Sequence, residues 1–117
     1  MDDLEAWWID LCRTDPPEVA GLWFGLVELL PGGWHLYVVG TATFDALDET
    51  AEWAVGPYAW EPDNRYLALD GMDDTSVAAA LEQVAGPVRE LRPWRDFGVD
   101  GVGVGFDDGD FVLVFIR

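Results

Sequence analysis

Lysine is absent from the 117 residues of this chain, and histidine and cysteine occur once each. The basic side chains are six arginines, which face 23 acidic side chains and leave a net charge of −17. So few cations argue strongly against direct binding to nucleic acid, because counterion release from phosphates requires a positive face. The same shortage argues against docking on an anionic membrane. The partner classes that remain are neutral or basic.

The shortage of cysteine and histidine also limits the chemistry of the chain. Cys12 has no second cysteine for an internal disulfide, and Cys12 with His35 cannot supply the four ligands of a structural zinc site. The acidic run Asp107–Asp110 lacks the glutamate that an EF-hand carries at its twelfth position, and its Asp-Gly step is typical of a hairpin turn. We find no catalytic constellation and predict a protein that is not an enzyme and has neither metal nor cofactor.

Long apolar runs are missing as well. No stretch approaches the roughly 18 residues of a transmembrane helix, and the segment Met1–Glu5 has no positive charge of the kind that opens a secretory signal. We therefore expect a cytoplasmic protein. Half of the residues are hydrophobic, which is enough for a packed core, and the length suits one domain over residues 1–117.

Two helices are predicted from apolar periodicity. In residues 3–13 the spacing i, i+3, i+4, i+7 places Leu4, Trp7, Trp8 and Leu11 on one stripe. A second helix is expected from about 74 to 85, because the N-cap residues Asp73–Ser76 precede a periodic apolar pattern. Since Pro87 cannot donate a backbone hydrogen bond, we predict a kink or break there and a last turn to about 92.

Five strands complete the predicted fold. Residues 19–30 and 34–43 form a hairpin across the turn Pro31–Gly33, and residues 65–69, 99–106 and 111–116 follow as further strands. The order is α-β-β-β-α-β-β. It predicts an α+β domain with an antiparallel or mixed sheet of about five strands and both helices on one face.

Two of these strands carry more specific signals. Gly101, Gly103 and Gly105 fall on one face of their strand and leave a groove, for which a tryptophan or the first helix is the natural occupant. Residues 111–116 are apolar on both faces, which is typical of a central strand.

The irregular segment 44–64 concentrates the charge. It holds six carboxylates and no basic residue, together with three aromatic side chains of the types that dominate interface energetics. A short helical turn near Asp48–Trp53 or a short edge strand near Trp53 is expected in it. We predict a partner-binding surface here, made of Asp45, Asp48, Glu49, Glu52, Trp53, Tyr58, Trp60, Glu61 and Asp63.

The stretches Trp34–Asp45, Glu52–Ala54 and Phe106–Asp110 together resemble a group of small acidic bacterial proteins. Most of that group is uncharacterised, and some members are similar to immunity proteins of bacterial toxin systems. The resemblance implies a cytoplasmic protein that binds and neutralises a toxin domain, often a basic nuclease. It implies no particular binding residue.

Charge and resemblance lead to one hypothesis and several alternatives. The hypothesis is an acidic, non-enzymatic binding module, most concretely an immunity-type inhibitor of a basic toxin or enzyme, whose carboxylates steer the encounter. The alternatives are a secretion-chaperone-like protein, a DNA mimic, a small enzyme acting on a cationic substrate, and a structural subunit. The sequence leaves open whether the protein is a monomer or a homodimer.

Overall fold

The computed structural model describes residues 2–12, 18–29, 33–56, 58–62, 65–69, 77–91, 98–106 and 110–116. These residues form two helices, one 3₁₀ turn and six strands. In chain order they are α1 (Asp2–Leu11), β1 (Gly21–Leu29), β2 (Gly33–Thr41), the 3₁₀ turn (Glu52–Ala54), β3 (Tyr58–Trp60), β4 (Tyr66–Ala68), α2 (Val77–Arg89), β5 (Gly101–Phe106) and β6 (Phe111–Ile116).

The strands form one mixed sheet around β1. The predicted hairpin is confirmed, since β1 and β2 pair antiparallel from Gly21 opposite Thr41 to Leu29 opposite Gly33. Strand β5 pairs parallel with the other side of β1, and β6 pairs antiparallel with β5. Strands β3 and β4 both pair with β2, so the path runs β3-β2-β1-β5-β6 with β4 also on β2. The α+β class is confirmed, with β3 as one strand more than expected.

Both helices pack on one face of this sheet, as predicted. The rings of Trp8 and Phe24 lie 5.3 Å apart, which fastens α1 to β1. Val84 and Val88 of α2 are fully buried in the same hydrophobic core, together with Val104 of β5. The apolar stripe of each helix is thus removed from water by one shared surface, which stabilises both by the hydrophobic effect.

Of the kink or break predicted at Pro87, the break is wrong. Helix α2 is continuous to Arg89 and includes Pro87. The buried face that starts at Leu81 continues through Val88, so packing offsets the hydrogen bond that the proline removes. The expected helix start near 74 lies outside the described residues.

The central position predicted for residues 111–116 is also wrong, because β6 ends the strand path of the described sheet. Its two faces are apolar for another reason. Phe115 packs against the helix-side core, whereas Phe111 and Leu113 pack against a second cluster on the opposite face. Two layers therefore cover an outer strand, and the sequence pattern resembles that of a central one.

Candidate functional site

The face of the sheet opposite the helices is covered by the loop of residues 42–56. A β-carbon at Gly103 would lie 3.2 Å from Cη2 of Trp53, and one at Gly101 would overlap the ring of Phe44. These two rings are 4.7 Å apart, and Trp53 also meets Trp23 of β1 at 5.8 Å. The glycine groove is therefore occupied by a tryptophan, as predicted, with Phe44 beside it.

Two aspartates hold this loop in shape. The carboxylate of Asp45 accepts a hydrogen bond from the backbone N–H of Leu47 at 2.9 Å. The carboxylate of Asp48 accepts from the backbone N–H of Thr50 at 3.0 Å, from the Thr50 hydroxyl at 2.8 Å and from the backbone N–H of Glu52 at 2.9 Å. The Thr50 backbone and then its hydroxyl are the main causes that lower the pKa of Asp48 below its usual 3.8.

The chain reverses just after Asp48. Ala51 has a φ of 51° and a ψ of 43°, the left-handed conformation that is strained for a residue with a β-carbon. The 3₁₀ turn Glu52–Ala54 follows directly. Of the helical turn and the edge strand expected in this segment, the structure has the helical turn. In this tightly wound turn Trp53 and Ala54 are buried and Glu52 is exposed.

A cavity of about 480 Å³ lies between the sheet and this loop. Its volume is within the range of roughly 300–1,000 Å³ typical of small-ligand sites. Trp23 is buried and marks the floor, while Glu49, Val55 and Tyr58 are exposed and mark the rim. The residues that line the cavity include Trp23, Tyr37, Glu49, Val55, Tyr58 and Phe111.

A hydrogen bond fixes the inner wall of the cavity. The indole Nε1–H of Trp23 donates to the hydroxyl of Tyr37 at 3.2 Å. Tyr37 stands opposite Gly25 in the β1–β2 register, and its ring lies where a side chain at residue 25 would be. The glycine therefore lets the tyrosine ring lie across the sheet and present an aromatic surface to the cavity.

A shallower depression of about 250 Å³ adjoins this cavity and shares the walls Tyr37 and Tyr58. Glu61, Arg65 and Tyr66 also line it. The guanidinium carbon of Arg65 lies 5.4 Å from the centre of the Tyr66 ring, within cation–π range. Arg65 Nη1 also donates to the backbone carbonyl of Pro62 at 3.1 Å.

Five of the nine predicted interface residues are exposed. Asp45, Glu49 and Glu52 belong to the loop, and Tyr58 and Glu61 follow it in the chain. The carboxylate of Asp48 accepts hydrogen bonds within the loop. Asp63 lies outside the described residues.

One predicted anchor is wrong, and a second lies on the other face of the sheet. Trp53 is only 4% exposed, because the glycine groove accepts its ring, so it cannot contact a partner directly. Trp60 stands opposite Gly40 and packs against the helix-side core, on the other face from Tyr58. The indole nitrogen of Trp53 has no hydrogen-bond partner in the described part of the chain.

The apolar groups that the loop exposes escaped the sequence analysis. Leu47 is 89% exposed and Val55 is 71% exposed, whereas Tyr58 is 40% exposed. Leu47 and Val55 lie near carboxylates in the sequence, and this position was the signal that could have identified them. The prediction considered aromatic residues alone as apolar anchors. Trp23, Tyr37 and Phe111 were missed as cavity walls because they come from three strands whose register is not visible in the sequence.

Exposed acidic groups occur on both sides of the molecule. The helices expose Glu5, Asp10 and Glu82, and Glu90 is exposed just after α2, so the negative charge is not confined to the loop face. Among the residues with a described placement, no three or more Cys, His, Asp or Glu side chains are grouped so as to hold a metal ion. Within the same residues, neither helix has the length and apolar character required to cross a membrane.

Comparisons with other proteins add one short similarity. Over 45 residues the sequence is 51% identical to 2-hydroxyacyl-CoA lyase 2 of Mus musculus. The match covers 38% of this chain and 7% of the length of the lyase. No family model and no solved structure matches the sequence.

Proposed function

We propose that this chain is a cytoplasmic, acidic, non-enzymatic binding module that inhibits a basic partner protein, in the manner of an immunity protein. The observation that carries the proposal is the composition of the loop face. Along the loop, the exposed carboxylates of Asp45, Glu49 and Glu52 alternate with the exposed apolar side chains of Leu47 and Val55. Carboxylates speed the encounter with a positive surface, and desolvated apolar groups hold the complex together.

The shape of the loop supports this proposal. The hydrogen bonds to the carboxylates of Asp45 and Asp48 hold the backbone, and the buried Trp53 fastens the loop to the sheet. A loop ordered before binding loses less conformational entropy on association. The module therefore needs no folding step when it meets its partner.

The alternative of an enzyme acting on a small cationic substrate has the cavity in its favour. However, the described lining residues contain no cysteine or histidine that could serve as nucleophile or imidazole base. We therefore keep the binding module as the proposal.

The test begins with affinity capture on the tagged protein at low salt from the cells that produce it. The expected capture is a basic protein whose own activity stops when it is bound. Its association rate constant should fall about tenfold or more between 0.02 and 0.5 M NaCl, because steering decays with the Debye length. Capture of no basic protein, or association that is indifferent to salt, would contradict the proposal.

Two matched triple variants locate the surface. The loop variant carries Glu49→Gln, Glu52→Gln and Glu61→Gln. The control carries Glu5→Gln and Glu82→Gln on the helices and Glu90→Gln just after α2. All six glutamates are exposed, and each triple removes three negative charges. The loop variant should slow association several-fold more than the control at low salt. Equal slowing would mean that the net charge, and not this face, governs the encounter.

A further inference from the structure

The cavity beside the loop combines aromatic walls with one acidic rim. Tyr37 and Tyr58 face it from two strands, Phe111 adds a third ring, and Glu49 is the charged side chain among the described residues that line it. Aromatic faces and a carboxylate are both attractive to a cation, whereas an anion would be repelled by Glu49 and by the net charge of −17. The cavity is therefore complementary to a positively charged group.

The planar walls favour a guanidinium over an ammonium ion. A guanidinium is flat and weakly hydrated, so it stacks on aromatic rings and still presents N–H groups in its plane to a carboxylate. The protein already holds a guanidinium over an aromatic ring in the adjoining depression, where Arg65 lies over Tyr66. Because Tyr37 and Tyr58 border both spaces, the same wall that flanks the internal arginine is available to an external one.

We infer that the cavity is the receptor for an arginine side chain of the partner, with the guanidinium against Tyr58 and Tyr37 and in contact with Glu49. This inference rests on the proposed function and adds the residue type that the partner inserts. The floor is preorganised for it, since the hydrogen bond from Trp23 holds the Tyr37 ring in place. The rim residues are exposed and have no core role, so they can be changed without unfolding the domain.

The probe for the test is Nα-acetyl-arginine amide, titrated into the ¹⁵N-labelled protein and followed by NMR at low salt. Shifts should saturate with a dissociation constant in the millimolar range and centre on the Trp23 indole and the amides of Tyr37 and Tyr58. Nα-acetyl-citrulline amide, of the same shape without charge, should bind at least several-fold more weakly. Equal binding of the citrulline compound, equal or tighter binding of Nα-acetyl-lysine amide, or shifts centred on the helices would overturn the inference.

Three variants sharpen this test. Tyr58→Ala and Glu49→Gln should each weaken the arginine probe about two- to fivefold, the range expected for loss of an exposed cation–π contact or an exposed ion pair. Glu82→Gln, an exposed glutamate of α2, is the control and should have no effect. Unchanged binding in both cavity variants would overturn the inference.

The inference and the proposed function can fail separately. If a basic partner is captured and inhibited, but Tyr58→Ala and Glu49→Gln bind it as the unaltered protein does, the arginine site is wrong and the inhibitor proposal is kept. If the arginine probe binds in the cavity while no basic partner is captured, the site is supported and the inhibitor proposal is wrong.

Discussion

Replacement of Gly101 by alanine tests whether the glycine groove is needed for the loop of residues 42–56 to pack on the sheet. A β-carbon at this residue would lie 2.5 Å from Cε2 of Phe44 and closer still to Cζ, well inside van der Waals contact. The Phe44 ring cannot move freely, because it packs at 4.7 Å against the buried Trp53. We expect Gly101→Ala to destabilise the protein by about 1–3 kcal/mol, the cost typical of an overpacked core.

The assay is urea unfolding followed by circular dichroism, with the midpoint and slope fitted separately. Gly86→Ala is the control, since nothing within 4 Å would meet its β-carbon; we expect no loss and a gain of at most about 1 kcal/mol from helix propensity. In a Phe44→Ala background the alanine at 101 should cost close to nothing. A neutral Gly101→Ala, or the same loss with and without the Phe44 ring, would refute the reasoning.

Three other predictions concern the loop and the charge. Trp53→Ala should destabilise the protein by about 3–5 kcal/mol in the same assay, because it empties a buried site; a loss below about 1 kcal/mol would contradict the burial of the ring. Asp48→Ala should be less stable than the unaltered protein at pH 7. Because folding lowers the pKa of Asp48, its contribution is present above the unfolded value of 3.8 and is lost as the pH falls through the folded-state pKa, so the difference between the two unfolding midpoints should shrink as the pH is lowered below 3.8. Finally, self-repulsion at a net charge of −17 predicts a melting temperature that rises between 0.01 and 0.5 M NaCl, by about 4–8 °C for each kcal/mol of relief; calorimetry that shows no rise would mean that the charges are already locally compensated.

Much of the candidate site could be anticipated from local sequence. Asp45, Glu49 and Glu52 are exposed as predicted, since an isolated carboxylate is rarely buried, whereas the Asp48 carboxylate is engaged by hydrogen bonds within the loop. The prediction failed on Trp53 and did not foresee the face on which Trp60 lies, because side-chain type does not reveal on which side of a turn or strand a ring falls. Trp53 is buried in the glycine groove, whereas Trp60 is partly buried against the helix-side core.

Local periodicity was sufficient to identify α1, the β1–β2 hairpin and the glycine stripe, because each depends on residues that are near one another in the chain. The excess of acidic residues, and with it the kind of partner that can approach, is likewise a property of composition alone. The outer position of β6, the continuity of α2 through Pro87 and the cavity beneath the loop were decided by tertiary structure. All three depend on which distant segments meet: the parallel pairing of β5 with β1 brings the glycine stripe beneath Trp53, and no pattern within either strand encodes that register.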